Sequence, residues 1–311
     1  TLIVETGFEP AFLMIKRTDA ATYDWYILDN KRNPQNYRNT ILRANSTDAD
    51  QTVTNGDVDV NFLSNGFSFD DMTSSAGFNA NGGTYLYMAF AADPSAAPVL
   101  ADSFANKLWT GNDGTNAISG LGFQPSFVWI KRRVSGSESH ALYDMLRGIN
   151  EQLSSDSTAA QILNTAPNEG FSSFDTDGFT LGNNGGTNRA PNTYVGWSWK
   201  ASPVPTSNTD GTIQSLVSAN QAAGFSISKW TGNGSAATIG HGLSATPEMI
   251  ITKRLTGTSP WYTYNAYLNG GANPAYYFVN LNTSDAETNN GSSRGSIFNS
   301  TPPTSTIFNI G

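Results

Sequence analysis

Short apolar or aromatic runs recur along this chain, divided by polar stretches such as Asn81-Gly82-Gly83 and Gly182-Asn183-Asn184-Gly185-Gly186. That punctuation predicts an all-β protein with many tight connections. Two kinds of strand stand out. Phe127-Val128-Trp129-Ile130 is apolar on both parities, so it reads as a strand covered on both faces. The run from Tyr85 to Phe90 alternates instead. Leu86, Met88 and Phe90 share one face, matched by Val195, Trp197 and Trp199, and this set is placed in the core. Tyr85, Tyr87 and Ala89, matched by Tyr194, Gly196 and Ser198, share the other. Gly66-Phe67 and Gly178-Phe179 read as turns feeding a further strand. Only Ala141 to Leu153 and the Ser/Thr-rich pieces after it hint at helix.

The pattern repeats. Gly7-Phe8-Glu9-Pro10, continuing to Lys16-Arg17, recurs as Gly122-Phe123-Gln124-Pro125, continuing to Lys131-Arg132. A looser third copy has Gly242-Leu243 and then Pro247 to Lys253-Arg254. Each proline opening an apolar run suits the first residue of a strand, where no amide donor is needed. Beyond these come Asp29 and Asp144, with Asn265 in third place, and another arginine three residues on in two copies, Arg32 and Arg147. Asn45-Ser46-Thr47 matches Asp156-Ser157-Thr158 and Asn282-Thr283-Ser284. An opening Trp109-Thr110-Gly111-Asn112 recurs as Trp230-Thr231-Gly232-Asn233. A period of this size, roughly 115 to 120 residues, is that of whole domains in tandem rather than of solenoid units. The expected organisation is three β-sandwiches, residues 1–98, 104–203 and 212–311, cut as a window from a longer array. The joints are Ala91 to Ala105 and Ala201 to Gly211, the second stiffened by Pro203 and Pro205.

Composition removes most enzyme chemistry. No cysteine is present, which excludes a disulfide scaffold, a thiolate zinc site and a cysteine nucleophile. With 17 basic against 25 acidic side chains and no basic stretch, nucleic acid and anionic membrane surfaces are poor partners. Tyr85 to Ala92, the longest nearly apolar stretch, is too short to span a bilayer.

The remaining chemistry reads as structural. Asp57-Val58-Asp59 and Asp175-Thr176-Asp177 have the alternation that paired glycosidase carboxylates can use, but neither pair recurs in every copy, and solvated turn acids are the plainer reading. His140 and His241 fall at non-equivalent positions and advertise no triad or metal partner. Calcium finds Asp and Asn oxygens in the turns but no twelve-residue loop with a closing glutamate. The Gly-rich stretch from Asn183 to Thr187 opens no helix, which argues against phosphate binding. In each Lys-Arg pair the two arms point to opposite faces; one is expected to cap a sheet edge or to pair with Asp29 or Asp144. The Asn/Asp-Ser/Thr triplets are expected to cap a short helical turn or to build an Asx-turn, and two are sequons. Trp25, Tyr26, Trp261, Tyr262 and Tyr264 could stack sugars from an exposed face, with core packing the better reading. No catalytic, cofactor-binding or metal residue is assigned, and no ligand-binding residue is identified.

Taken together, Trp109-Thr110-Gly111-Asn112, Gly122-Phe123 with Pro125 to Arg132, Tyr143-Asp144 with Arg147-Gly148, Asp177-Gly178-Phe179 and Tyr194 to Trp199 resemble a repeated domain of bacteriophage virion proteins. It is similar to domains of tail-fibre-like and other structural proteins of marine and cyanobacterial phages. The first copy departs most, reading Leu28-Asp29-Asn30-Lys31-Arg32-Asn33 at the Tyr-Asp-x-x-Arg-Gly position. The resemblance implies tandem antiparallel β-sandwiches of jelly-roll or concanavalin-A-like (LamG-type) form. It implies a non-enzymatic virion protein on the tail or capsid surface: a tail fibre or similar appendage presenting loops to the host. Expected partners are other virion proteins, further copies in a homotrimer, and a host surface glycan, with no nucleic acid and no membrane insertion. The alternatives are a capsid decoration or head-fibre protein, a bacterial carbohydrate-binding adhesin module, and a depolymerase of the host envelope.

Overall fold

The structure is a computed structural model that describes residues 2–54, 56–70, 76–91, 103–134, 136–164, 170–291 and 296–311. The first repeat contains β1 (Leu2–Glu5), β2 (Pro10–Arg17), β3 (Trp25–Asp29), β4 (Thr40–Arg43), β5 (Gln51–Thr52), β6 (Val60–Leu63), β7 (Gly66–Phe69), a one-turn helix at Ala76–Asn79, and β8 (Tyr85–Ala91). The second contains β9 (Phe104–Thr110), β10 (Asn116–Ser119), β11 (Phe127–Arg132), β12 (Ala141–Asp144), β13 (Glu151–Gln152), β14 (Ile162–Leu163), β15 (Phe171–Asp175), β16 (Gly178–Leu181) and β17 (Thr193–Trp199). The third contains β18 (Thr206–Asn208), β19 (Ser215–Asn220), β20 (Phe225–Trp230), β21 (Ala237–Gly240), β22 (Met249–Lys253), β23 (Trp261–Asn265), two short 3₁₀ turns, β24 (Tyr277–Asn280), β25 (Thr288–Asn289) and β26 (Ile307–Ile310). The chain is all-β, built from packed antiparallel sheets. Most of the first joint lies outside the described residues, and the second contains β18, which pairs with β19.

Each repeat packs an inner sheet against smaller outer strands. The inner sheets run β5-β4-β3-β2-β8, β12-β11-β17-β9 and β22-β23-β24-β25. The outer sheets are β1-β7-β6 and β10-β16-β15, with the pair β21-β26 in the third repeat. The segment Ala141 to Leu153, expected to lean towards helix, instead opens with β12 paired to β11 in register Phe127↔Asp144. Pairing with an already buried strand overrides a weak local preference.

The central strands β2 and β11 are buried on both sides, whereas β22 in the third repeat is half-buried along its length. On β2, Phe12 and Met14 enter one apolar cluster while Leu13 and Ile15 enter another. The alternating strand buries the face expected in the core in the second repeat, at Val195, Trp197 and Trp199, while in the first Leu86 is buried and Met88 and Phe90 are half-buried. Its second face is buried as well in the second repeat, where Tyr194 and Ser198 are fully enclosed. The reason is a second core. Phe12, Trp25 and Leu42 from the first repeat, Trp129, Leu142 and Trp197 from the second, and Trp261, Val279 and Leu281 from the third form a single cluster. Three inner sheets therefore surround one common axis. Each repeat adds a private core on its far side: Leu13 to Phe78 in the first, Ile118 to Tyr194 in the second, and a smaller set around Tyr264, Ala275 and Phe298 in the third.

One substitution between copies follows from this geometry. In the second repeat Trp109 lies edge-on to Phe179 at 5.8 Å, and a Cβ on Gly196 would sit 2.9 Å from the Trp109 ring. In the first repeat Tyr87 takes the place of Gly196 and itself covers Phe67, edge-on at 5.2 Å. A glycine under a tryptophan, and a tyrosine with no tryptophan above it among the described residues, are two fillings of the same space.

Candidate functional site

The recurring motifs meet where the repeats touch. Lys131 Nζ of the second repeat donates to Thr47 O of the first at 2.8 Å. Lys253 Nζ of the third donates to Thr158 O of the second at 3.3 Å, and Lys16 Nζ of the first to Ser284 O of the third at 3.3 Å. Thr47, Thr158 and Ser284 are the last residues of the three matched triplets. The exchange is cyclic, so the repeats close into a ring about an approximate three-fold axis.

Backbone bonds run round the same ring. Asp50 N–H donates to Arg133 O, Gln161 N–H to Leu255 O, and Glu287 N–H to Thr18 O, at 3.0, 3.0 and 2.8 Å. A third set explains His140. Trp25 Nε1 donates to Asn280 O at 2.9 Å and Trp261 Nε1 to Ser154 O at 2.9 Å. His140 Nε2 makes the equivalent contact with Arg43 O at 2.9 Å. The main-chain N–H groups of Trp25, His140 and Trp261 donate to Asn45, Asp156 and Asn282 Oδ1, the first residues of the triplets. His140 thus stands where the other repeats carry tryptophan. Its Nδ1 accepts from Trp129 Nε1 at 2.8 Å, which leaves the proton on Nε2. Burial, reinforced by the Lys131 charge, pushes its pKa down to about 4 and keeps it neutral.

Neither member of the Lys-Arg pairs binds Asp29 or Asp144. The lysine crosses to a neighbouring repeat, while Arg17 pairs with Asp19 and Arg132 with Glu138. Asp29 pairs instead with Arg32 at 2.6 Å, both side chains fully buried, and Asp144 pairs with Arg147. Lys16 and Asp29 share a face but lie four residues apart along the paired strands, Lys16 opposite Trp25 and Asp29 opposite Phe12, whereas the turn after Asp29 folds Arg32 back over it. Burial would raise the Asp29 pKa, but the Arg32 charge and the hydrogen bonds from Arg32 and Trp197 Nε1 (3.1 Å) hold it below the ordinary carboxylate range. The triplets cap no helix. Ser46, Ser157 and Thr283 hydroxyls accept from the N–H two residues on, in Asp48, Ala159 and Asp285.

The other singled-out residues are not brought together. Asp175 accepts from Ser173 and Thr180 hydroxyls at 2.6 and 2.7 Å, and Asp177 accepts from the N–H groups of Gly120 and Gly122 at 2.9 and 2.6 Å. Both stabilise hairpin ends of the second repeat; Asp57 and Asp59 belong to the segment before β6 in the first. His241 Nδ1 accepts from Leu243 N–H at 3.1 Å, and burial lowers its pKa. Trp25, Trp261 and Tyr264 are buried, and Tyr26 and Tyr262 lie against Phe78 and Phe278 at 4.5 and 5.2 Å. The aromatic set is therefore core, not a sugar face. Among the described residues, no group of three or more His, Asp or Glu could hold a metal, and no helix is long and apolar enough to cross a membrane.

The lysine contacts mark one end of the axis. At the other, Phe90, Phe104, Trp199 and Phe225, with Phe8 and Ala223, line an open pocket of about 210 Å³. Sequence reading missed this pocket because its walls come from all three repeats.

A family model described as a domain of unknown function, DUF7483, matches residues 2–94 and 100–311. The chain belongs to the DUF7483 family. The break between the two matched segments falls between the first and second repeats, and the longer segment takes in the second and third repeats together. No curated protein and no solved structure matches this DUF7483 chain.

Proposed function

We propose that this DUF7483 chain is a non-enzymatic bacteriophage virion protein, a tail fibre or fibre-like appendage that presents loops to the host surface. The observation that supports the reading is how the chain deploys its chemistry. Recurring lysines and indoles donate to main-chain carbonyls of neighbouring repeats, and Asp–Arg pairs are buried within the repeats, which builds a rigid scaffold. What faces outward is turns rich in Asn, Gly, Ser and Thr, a surface suited to hydrogen-bonding a host glycan. The proposed partners are other virion proteins and further copies in a homotrimer, which light scattering of the full-length protein tests; a monomer alone would remove that part.

One feature favours a second reading, a capsid decoration protein. The ring gives a single chain an approximate three-fold axis, so one copy could seat on a three-fold site of a shell. Immunogold labelling of intact parent virions, with antibody to residues 104–203, separates the two. Gold along the tail or its fibres supports host recognition, and gold over the capsid makes this a decoration protein. No gold at all would overturn the virion reading.

A further inference from the structure

The pocket at the aromatic end of the axis is the vacant third place of a three-fold arrangement. Phe104 opens β9 and Phe225 opens β20, each five residues before the tryptophan of a Trp-Thr-Gly-Asn element. Phe104 packs on Phe12 and Phe90 of the first repeat at 5.8 and 5.4 Å. Phe225 packs on Phe127 and Trp199, their equivalents in the second repeat, at 6.4 and 6.3 Å. No phenylalanine of the first repeat fills the corresponding third place among the described residues. By the pairing of Trp199 with Phe104 that place lies opposite Phe90 on the open side of β8, where Phe90, Phe104, Trp199 and Phe225 line the pocket.

The strand beside it is open as well. In the second repeat β17 lies between β11 and β9, with Trp199 opposite Phe104. Its counterpart β8 pairs with β2 alone among the described residues. Thr18 N–H donates to Thr84 O, so in this antiparallel pair the even-numbered residues of β8 bond to β2. The main-chain groups of Tyr87 and Ala89 therefore point to the open edge. Tyr87 is 42% exposed, and Met88 and Phe90 are partly exposed, whereas the equivalent Trp197 and Trp199 are 0% and 3% exposed. Finally, Trp199, which lines the pocket, has a buried indole N–H with no hydrogen-bond partner.

We infer that β8 and this pocket form a strand-addition site for an extended segment of a partner polypeptide, which places a phenylalanine ring in the pocket. The segment runs antiparallel to β8 with its phenylalanine opposite Phe90, as Phe104 lies opposite Trp199. A pocket of about 210 Å³ admits one phenyl ring, since a dry cavity near 150 Å³ already takes benzene. Backbone pairing supplies affinity and the ring supplies specificity. Because Tyr87 already covers Phe67, the residue five places after the phenylalanine must be smaller than tryptophan.

The probe is a peptide copying residues 103–110 with serine in place of Trp109, Ser-Phe-Ala-Asn-Lys-Leu-Ser-Thr, blocked at both ends. Lys200 N–H donates to Ser103 O and Gly111 N–H to Asn192 O, so odd-numbered positions of this strand face its partner. Binding to the whole chain, followed by tryptophan fluorescence and calorimetry, should weaken at least tenfold when the peptide's Phe becomes Ala. N-methylation at the Ala105 position should weaken it equally, and N-methylation at the Asn106 position should change it less than threefold. Ala223→Leu, which fills the pocket from a turn, should abolish binding without lowering the melting temperature. No binding at millimolar peptide, or equal binding of the Phe and Ala peptides, overturns the inference. So does a peptide-free dimer that buries β8, which would make a second copy the occupant.

Discussion

Asp29→Asn tests whether the repeats are held by specific buried chemistry or only by shared apolar area. Asp29 Oδ1 accepts from the N–H groups of Lys31 and Arg32 at 3.0 and 2.8 Å, and asparagine can keep both. Oδ2 accepts from Arg32 Nε at 2.6 Å and from Trp197 Nε1 at 3.1 Å. An amide nitrogen there would face two donors, and rotating the amide only moves the conflict to the backbone. A hydrogen bond with a charged partner contributes about 1.5–3 kcal/mol, and breaking a buried ion pair costs about 3–5 kcal/mol. Asp50 remains 3.1 Å from Arg32 Nη1 and softens the loss. The expected cost of Asp29→Asn is therefore about 3–4 kcal/mol. Asp144→Asn is the internal control. It breaks the equivalent bond to Arg147 but no bond to another repeat, and should cost about 1.5–3 kcal/mol. Urea unfolding followed by circular dichroism gives both values, provided one transition is resolved. Trp197→Phe completes a double-mutant cycle, in which Asp29 and Trp197 should couple by about 1 kcal/mol or more. Equal losses for the two aspartates, or no coupling, would refute the claim that this contact ties the first repeat to the second.

Three further outcomes follow from the same contacts. His140 has a folded pKa of about 4 against about 6.5 unfolded, so the unfolded chain alone takes up that proton between these values. Stability should fall by roughly 3 kcal/mol as pH drops from 6.5 to 4, and His140→Gln should remove that share of the slope in pH-dependent unfolding. Burial lowers the Lys131 pKa to about 8, below its unfolded value near 10.4, so its contribution should rise as pH climbs between them. Lys131→Met should flatten that rise in the same titration. A Cβ at Gly178 would lie 1.9 Å from Ile118 O, so Gly178→Ala should cost more than about 3 kcal/mol. Gly185→Ala, whose nearest neighbour would be 4.0 Å away, should cost less than about 1 kcal/mol by thermal unfolding.

Much of the local structure was legible in the residues. Alternation and doubly apolar runs located the strands, because side-chain period depends only on backbone geometry. The repeated positions were also legible: Lys16, Lys131 and Lys253, the triplets, Asp29 and Asp144 with their later arginines. Their partners were not. The sequence could show that a lysine recurs six residues after a proline, but not that it donates to a carbonyl in a different repeat.

The same limit separates His140 from Trp25 and Trp261. As letters they are unrelated, and only the shared contact across the interface reveals one structural position. By itself, the sequence determined the all-β class, the copies and their strand faces, since these follow from local periodicity. Tertiary structure decided that the copies share one core around an axis, which lysine serves which carbonyl, and where aromatic rings of different repeats meet around a pocket. Those are properties of three surfaces meeting, and no single stretch of chain contains more than one of them.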